Sequence, residues 1–382
     1  MRVSRRGAVD PFIVMDVMEA ARAAEAASRH IIHMEVGQPG TAAPQGARAA
    51  VARAMEQGAL GYTVALGLPE LRAGIAELYL RWYGIRLDPA RVVVTSGSSA
   101  AFLLAFTALF EAGDRVGLGE PGYPSYRQIL RALSLTPVGI PASVENRLQP
   151  TPADMDGIDI AGMIVASPGN PSGTMLDQTA LKALMDHCAA RGISFISDEI
   201  YHGLHYGDRA ISALEISDEC YVINSFSKYF SMTGWRVGWM VVPPDHVRLI
   251  ERLAQNMFIC PPHASQIAAL AALDCVPELE ANRAVYAKNR TLMLEGLAEA
   301  GFTKIAPPDG AFYVYADVSD LTDDSLAFAA QILEAGVAVT PGLDFDPVRG
   351  AQTMRFSYAR STEEIVEGLA RLKVFMAGHT KL

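Results

Sequence analysis

Short apolar runs alternate with longer stretches of helical periodicity through the middle of the chain. The runs occupy residues 92–94, 116–118, 135–140, 163–166, 193–196, 221–223 and 237–242. Apolar runs of this length, joined by helical crossovers, are typical of a mostly parallel sheet that helices cover on both faces. The pattern therefore predicts an α/β fold with a seven-stranded, mostly parallel sheet between helices.

The ends of the chain show a different pattern. Residues 13–29 predict an alanine-rich amphipathic helix, and a long helical pattern over 277–300 leads to three further strand-like runs and a last helix over 362–377. This order predicts a second, smaller α+β domain. We expect an N-terminal segment with part of the small domain (1–40), a large domain (41–283) and a small C-terminal domain (284–382).

Composition excludes several classes of protein. Half of the 382 residues are apolar and the formal net charge is −10, without any basic run, so a nucleic-acid surface is not expected. The four cysteines have no metal-ligand spacing, which argues against a zinc site and fits a reducing compartment. No metal is expected.

Targeting signals are also weak. The Arg5-Arg6 pair is followed by acidic residues rather than by an apolar stretch, which argues against export. The longest apolar run, near residues 100–110, is shorter than the roughly 20 residues that a membrane helix needs. The sequence therefore predicts a soluble, cytoplasmic protein with no membrane partner.

Lys228 stands out among the charged residues. It lies in a bend rich in hydroxyl side chains and glycine between two strand-like runs, with Ser225 before it and Arg236 eight residues after it. Burial and nearby cations at a strand end lower the pKa of a lysine and make its amine nucleophilic. Arg236 and Ser225 offer donors suited to a phosphate. A reactive lysine beside a phosphate clamp suggests pyridoxal phosphate.

This stretch resembles the class I/II aminotransferases, fold-type I enzymes that use pyridoxal 5'-phosphate. The shared motif is Ser-x-x-Lys with an arginine eight positions after the lysine, here Ser225, Lys228 and Arg236. The resemblance implies that Lys228 forms a Schiff base with the cofactor and that Ser225 and Arg236 bind its phosphate.

Ligands of open α/β sheets bind beyond the carboxyl ends of the strands, so the residue after each run matters. Ser98 and Ser99 follow the first run and open an apolar helix, where a phosphate can bind the free backbone N–H groups. Either serine could equally be an ordinary helix N-cap.

Two further strand ends offer candidate site residues. Tyr123 lies between two prolines and is either a packed core aromatic or, by the resemblance, the ring that stacks on the cofactor. Asn170 lies in the segment Ser-Pro-Gly-Asn-Pro, which by itself indicates a plain turn. The resemblance implies instead that Asn170 donates to the cofactor's ring oxygen and helps to hold the substrate carboxylate.

Asp198 ends a buried run, and Tyr201 follows three residues later. A buried carboxylate needs a cationic partner, which is either a structural salt bridge or the protonated pyridine nitrogen of the cofactor. The resemblance favours the second partner. It also implies a hydrogen bond from Tyr201 to the ring oxygen and makes both residues part of the catalytic set with Lys228.

Three residues outside the sheet complete the resemblance. Gly37 by itself indicates a plain turn, whereas the resemblance implies that its backbone contacts the substrate carboxylate. Tyr62 by itself indicates a packed aromatic, whereas the resemblance implies that it reaches the phosphate in the neighbouring subunit of a homodimer. Arg355 is either an exposed edge-strand arginine or, as the family's Met-Arg-Phe-Ser context implies, the bidentate clamp for the substrate carboxylate.

The expected function is transfer of an amino group from an L-amino acid to a 2-oxo acid. The segment 257–266 has no Arg or Lys, and the phosphate turn has Ser99. A cation for an acidic side chain is therefore missing where the family keeps one, so we favour neutral, aliphatic or aromatic donors with 12–15 and 257–258 as pocket residues. A C–S β-lyase of the same fold and, less favoured, a non-enzymatic regulator remain alternatives.

Overall fold

The computed structural model describes residues 1–58 and 60–379. Its large sheet has seven strands in the spatial order β2-β8-β7-β6-β5-β3-β4. Their bounds are β2 (Val92–Thr95), β3 (Arg115–Glu120), β4 (Thr136–Pro141), β5 (Gly162–Ala166), β6 (Ser194–Asp198), β7 (Tyr221–Ser225) and β8 (Gly238–Val241). All neighbours are parallel except at β8, which is antiparallel to both β2 and β7. The predicted seven-stranded, mostly parallel sheet is confirmed.

Helices cover both faces of this sheet. In β2, Val92 and Val94 belong to one hydrophobic core and Val93 to the other. Successive side chains of a strand point to opposite faces, so a strand with a core on each side has to be apolar at every position. This is why the strands appear in the sequence as continuous apolar runs.

Helices form over all three stretches for which the sequence predicts them by number, 13–29, 277–300 and 362–377, and eight more α-helices lie between these in the described part of the chain. Their bounds are α1 (Ile13–Ala26), α2 (Gln45–Gln57), α3 (Pro69–Tyr83), α4 (Ser98–Leu109), α5 (Pro124–Ala132), α6 (Gln178–Ala190), α7 (Val247–Met257), α8 (His263–Ala272), α9 (Val276–Glu299), α10 (Ser325–Glu334) and α11 (Thr362–Ala377). None of these helices is long and apolar enough to cross a membrane, a finding that applies to the described residues.

A second, antiparallel sheet has the order β12-β13-β10-β9 and forms from late parts of the chain. Its strands are β9 (Lys304–Ile305), β10 (Tyr313–Asp317), β12 (Thr340–Pro341) and β13 (Thr353–Ser357). A parallel pair, β1 (Ile32–His33) with β11 (Val337–Ala338), ties the N-terminal segment to this part of the molecule. The predicted boundary between residues 283 and 284 falls inside the continuous helix α9.

Candidate active site

A cavity of about 240 Å³ lies where the carboxyl ends of the large sheet meet the small sheet and the N-terminal segment. Asp198 ends β6, Ser98 begins the helix after β2, and Lys228 follows β7. Ten of the predicted site residues line this cavity: Gly37, Ser98, Ser99, Tyr123, Asn170, Asp198, Tyr201, Lys228, Arg236 and Arg355. The remaining two, Ser225 and Tyr62, lie elsewhere.

Lys228 is the candidate reactive amine. Its Nζ donates a hydrogen bond to the carbonyl of Gly37 at 2.6 Å. Burial, followed by the positive charge of Arg355, lowers the pKa of Lys228 to about 8, against an opposing effect of Asp198. A lowered pKa leaves more of the amine neutral near physiological pH, which is what a nucleophilic or proton-transferring lysine requires.

Asp198 is a buried carboxylate with two neutral hydrogen-bond donors. The Tyr126 hydroxyl donates to its Oδ2, and the Ile200 N–H donates to its Oδ1 at 3.1 Å. Burial raises the pKa of Asp198 to about 6 even though both bonds favour the charged form. Neither donor neutralises the negative charge, so the carboxylate is suited to a cationic ring nitrogen.

One end of the cavity has the properties of a phosphate site. Gly97 is the N-cap residue of α4, with φ +79°, and no side chain caps the helix. A Cβ at Gly97 would lie 2.2 Å from Nη2 of Arg236, so the guanidinium packs directly against the start of the helix. Free N–H groups, a helix dipole and an adjacent guanidinium together favour a dianion.

The N-cap position corrects one of the two interpretations of Ser98 and Ser99. Neither serine is the N-cap, because α4 begins at Ser98 and the residue before it has the cap conformation. Only glycine tolerates both the positive φ at this position and the contact with Arg236. Both serines instead lie in the first turn and line the cavity.

Ser225 organises the bend that holds Lys228. Its hydroxyl donates to the carbonyl of Val237 at 3.1 Å and accepts from the N–H of Ser227 at 3.1 Å. Ser227, rather than Ser225, lines the cavity. The predicted phosphate contact of Ser225 therefore stays a prediction, and its observed hydrogen bonds fix the bend between β7 and Lys228.

Arg355 lies on the opposite side of the cavity, in β13. It is 3% exposed, and β13 is paired on both sides by β12 and β10, so the interpretation as an exposed edge-strand arginine is wrong. Its Nη1 donates to Oδ1 of Asn170 at 2.9 Å, while its buried Nε has no acceptor among the described residues. A fixed, incompletely paired guanidinium is suited to a carboxylate.

Two tyrosines and a glycine pack beside Arg355. The hydroxyls of Tyr201 and Tyr313 lie 2.8 Å apart and share a hydrogen bond, and the Arg355 guanidinium lies 4.4 Å from the centre of the Tyr313 ring. A Cβ at Gly37 would come within 1.9 Å of the Tyr313 hydroxyl. Glycine at position 37 is therefore required for the close approach of Tyr313, which the sequence analysis did not identify.

Tyr62 does not line the cavity of its own chain. Its side chain is 83% exposed, so the interpretation as a packed aromatic does not hold within one chain. Val64 and Ile259 are also large apolar residues with mostly exposed side chains, at 57% and 53%. Segments 61–63 and 260–266 contact each other directly through hydrogen bonds to Cys260, His263 and Gln266.

The N-terminal segment contributes three apolar side chains to the cavity wall. Phe12, Val14 and Met15 line it, as expected for pocket residues in 12–15. Met257 and Phe258 do not line it: Met257 is 41% exposed and Phe258 packs on the core beside α4. The structure therefore supports only the N-terminal half of the predicted pocket within one chain.

Sequence reasoning missed two residues that line this cavity, Tyr126 and Tyr313, and one, Asp344, that holds part of its wall from outside. Tyr126 lies three positions after Tyr123 in the first turn of α5, a spacing that could have suggested a common face. Tyr313 and Tyr315 lie two positions apart in β10, a spacing that puts both on one face of a strand but does not indicate which residues they contact. Asp344 gives no signal at all, because its partners lie at the other end of the chain.

Comparison with known proteins agrees with this geometry. The model of the family described as aminotransferase class I and II matches residues 29–372. A Mycobacterium tuberculosis protein named valine–pyruvate aminotransferase is 48% identical over 97% of both chains.

Solved structures give the same result. A crystal structure from Silicibacter pomeroyi is 69% identical and covers 99% of this chain and all of its own, with a TM-score of 0.95. The aspartate aminotransferase of Thermus thermophilus with maleate is 31% identical over 98% of this chain and 100% of that one, with a TM-score of 0.93.

Proposed function

The chain belongs to the class I and II aminotransferases, and from that premise we propose that it moves the amino group of a neutral L-amino acid, aliphatic or aromatic, to a 2-oxo acid. The enzymes of this family depend on pyridoxal 5'-phosphate. The observation that supports the donor class is the set of cations around the cavity. Among its described lining residues the Lys and Arg side chains are Lys228, Arg236 and Arg355, and each has a role other than binding a second carboxylate.

The residues around the cavity fit the cofactor. Arg236, with the first turn of α4 at Ser98 and Ser99, would hold its phosphate, and Ser225 would support that end from the bend. Tyr123 would stack on the ring, and Asp198 would face the ring nitrogen. When bound, pyridoxal phosphate supplies an aldehyde for a Schiff base with Lys228 and a cationic ring that withdraws electrons from the substrate carbon.

Lys228 is the proposed proton carrier. With a pKa lowered to about 8, its amine can both accept a proton from the substrate's α-carbon and return it to a neighbouring atom. The Gly37 carbonyl, which accepts from Nζ at 2.6 Å, keeps the amine on the side of the cavity that faces Arg355. This placement supports a role as general base and acid.

Asp198 and Tyr201 are proposed to set the electronic state of the ring. An ionised Asp198 beside the ring nitrogen favours its protonated form, and the charge of that nitrogen in turn favours ionisation of Asp198. Tyr201, whose hydroxyl lies 2.8 Å from that of Tyr313, would donate to the ring oxygen together with Asn170. The pair of tyrosines keeps that donor in a fixed position.

Arg355 and Asn170 are proposed to orient the substrate. Their mutual hydrogen bond of 2.9 Å fixes the guanidinium before a substrate arrives, so little freedom is lost on binding. The backbone of Gly37 lines the same cavity, and the proposed contact with the substrate carboxylate is one that its backbone would make. A carboxylate held by these groups places the α-carbon near Lys228, which is an effect of orientation.

The apolar wall supports the proposed donor class. Phe12, Val14 and Met15 line the cavity and give it an apolar surface. A neutral side chain is stabilised against such a wall, whereas a second carboxylate would lose its hydration without gaining a partner. The relative named valine–pyruvate aminotransferase, at 48% identity, points to the same class of donor.

Assembly and location are part of the same proposal. We propose a cytoplasmic homodimer in which the exposed Tyr62 of one subunit reaches the phosphate in the other. The four free cysteines suit a reducing compartment. We further propose that residues 41–283 form the large domain and that 1–40 join 284–382, a division that the β1–β11 pair supports.

A half-reaction screen tests the function. Purified holoenzyme is mixed with one amino acid at a time and no acceptor, while the visible absorbance of the bound cofactor and the 2-oxo acid product are measured. We expect valine, alanine or phenylalanine to convert the cofactor to its amine form, with one 2-oxo acid per site. Continuous release of pyruvate and ammonia from cystathionine, with the starting spectrum restored, would contradict transamination in favour of the lyase.

A further inference from the structure

Residues 10–14, which we call the strap, precede and begin helix α1. Phe12 is the N-cap residue of α1, and its side chain forms no capping hydrogen bond. The first N–H groups of a helix lack partners within the helix and must find them elsewhere. In the strap those partners come from a distant part of the chain.

Asp344 supplies the missing cap. Its Oδ1 accepts from the N–H of Ile13 at 3.0 Å, and its Oδ2 accepts from the N–H of Val14 at 3.1 Å. The carboxylate is only 4% exposed, so it has little water to replace these donors. Both oxygens are committed to the first turn of α1, where the helix dipole also favours a negative charge.

The other end of the strap is held by the large domain. The N–H of Asp10 donates to Oε1 of Gln128 at 3.1 Å, and Nε2 of Gln128 donates to the Asp10 carboxylate at 3.1 Å. Arg131 forms an ion pair with the same carboxylate. Both partners belong to α5, whose N-cap residue is Tyr123. Exposed pairs of this kind add little stability, but they fix where the strap meets α5.

Phe12 lies between the two anchors. Its ring meets that of Tyr123 edge to face, with centroids 5.9 Å apart and planes at 78°. Both rings line the cavity, as does Val14, whose own N–H is bound by Asp344. The position of this apolar wall therefore depends on a carboxylate that is not itself among the residues lining the cavity.

We propose that Asp344 is a positioning residue for donor choice: by capping the first turn of α1 it holds Phe12 and Val14 as the wall against which the donor side chain packs. This inference rests on the proposed function. It assigns the preference among neutral donors to a contact between the C-terminal part of the chain and the strap.

Valine and alanine separate this role from general structural support. The valine side chain has two carbons more than that of alanine, so it can pack against the wall formed by Phe12 and Val14, which the alanine methyl does not reach. One methylene in an apolar pocket changes kcat/KM by about 10-fold or more. In Asp344→Asn, where one acceptor is replaced by a donor, we expect the valine-to-alanine ratio of kcat/KM to fall about 10-fold, mainly through the KM for valine.

Phe12→Ala should lower the same ratio by a similar factor without touching the buried cap. In the double variant Phe12→Ala with Asp344→Asn, the two effects should not add, because both act through one wall. Full additivity would show that Asp344 acts on the donors by another route and would overturn the inference.

Hydrogen exchange gives a readout that does not depend on turnover. In Asp344→Asn the amides of Ile13 and Val14 should exchange faster than in the wild type, because their acceptors are disturbed. Asp324→Asn is the matched control: Asp324 caps α10 through the N–H groups of Leu326 and Ala327, and it does not line the cavity. That variant should leave both the ratio and the exchange of residues 13 and 14 unchanged.

The outcomes separate this inference from the proposed function. A wild type that transaminates no amino acid would contradict the proposed function itself. A wild type that transaminates valine, with Asp344→Asn lowering both donors equally or neither, would overturn only the role of Asp344. If Asp344→Asn does not fold, the Phe12→Ala variant provides the test. An unchanged valine-to-alanine ratio of kcat/KM in that variant would show that Phe12 does not select the donor, and it would overturn the inference.

Discussion

Two walls of the cavity differ in how the chain builds them. The sheet wall contains Asp198 and Lys228, which lie at or just after the ends of the neighbouring strands β6 and β7. The opposite wall contains Arg355, which donates to the carbonyl of Glu35, and the strap, whose first helical turn Asp344 caps. Both contacts join residues more than 300 positions apart in the chain. The first wall follows from local order along the chain, and the second follows from tertiary packing.

The two walls also differ in charge behaviour. Burial moves the pKa of Asp198 up to about 6 and that of Lys228 down to about 8, so both groups can change protonation near neutral pH. Arg355, by contrast, is a guanidinium held by Asn170, with aromatic rings at 4.4 and 4.7 Å from it. We infer that the sheet wall performs proton chemistry and that the opposite wall binds and selects.

The largest expected effect lies on the sheet wall. Lys228→Ala removes the proposed proton carrier, and we expect kcat to fall on the order of 10⁴-fold. The half-reaction with valine, followed by absorbance and product analysis, measures it. Lys182→Ala, which removes an exposed lysine of α6 paired with Asp186, is the control. Full turnover by Lys228→Ala would mean that another group carries the proton.

The pH dependence of stability tests the second sheet-wall residue in cofactor-free protein. Folded protein keeps the Asp198 proton up to about pH 6, whereas the unfolded chain releases it near its ordinary value of 3.8. The wild-type free energy of unfolding is therefore reduced as pH rises through this window. Asp198→Asn has no carboxylate at this position and so does not show this decrease. Its free energy of unfolding, relative to that of the wild type, should therefore rise by up to about 3 kcal/mol between pH 4 and pH 7.

Urea unfolding at the two pH values measures this gain. Asp186→Asn, an exposed carboxylate variant on α6, corrects for the general change in net charge. A difference between Asp198→Asn and wild type that stays constant with pH would mean that Asp198 is already ionised at pH 4. Burial would then not raise the pKa of Asp198 as described, and the pH dependence that follows from the raised pKa would be wrong.

On the opposite wall the expected loss is in binding. Arg355→Lys replaces a planar fork with a single ammonium, so kcat/KM should fall roughly 10- to 100-fold, by a similar factor for valine and for alanine. Arg248→Lys, at an exposed arginine of α7, is the control. A loss of kcat/KM for valine alone would mean that Arg355 does not bind the carboxylate that both donors share. It would also contradict the division between carboxylate binding by Arg355 and donor selection by the strap.

The smallest expected effect concerns Tyr126, which supports Asp198 from α5. Its hydrogen bond lowers the pKa of Asp198, so Tyr126→Phe should raise it further and leave less carboxylate ionised. Affinity of the cofactor-free protein for pyridoxal phosphate should weaken by about 5-fold at pH 6.5 and by less at pH 8. Tyr83→Phe, at a hydroxyl bound to His202, is the matched control. An equal loss of affinity at both pH values would contradict the proposed link between the Tyr126 hydrogen bond, ionisation of Asp198 and cofactor binding.

The same contrast explains what could be predicted from the sequence. The apolar runs predict all seven strands of the large sheet, and the residue after a run predicts Asp198 and Lys228 as members of one site. Both predictions depend on order along the chain and on the common edge of parallel strands. Arg355 could be assigned only through its motif, because its neighbours are set by the pairing of β13 with β10 and β12.

Other features could not be predicted because they depend on packing. The cap of α4 is Gly97 rather than a serine, since the Arg236 guanidinium occupies the space of a side chain there. Asp344 caps α1 from the far end of the chain, and no local pattern indicates that pairing. The pocket role expected for 257–258 stays a prediction, because within one chain these residues do not line the cavity and Phe258 packs against a core.

The rate of the half-reaction with valine, compared with that of aspartate at equal concentration, tests the central claim most directly. Single-turnover absorbance of the wild-type holoenzyme measures both rates. An apolar wall and a cavity whose lining cations all have other roles predict that valine reacts much faster than aspartate. A faster reaction with aspartate would mean that the site holds a second carboxylate, and the assignment of the opposite wall to neutral donors would be wrong.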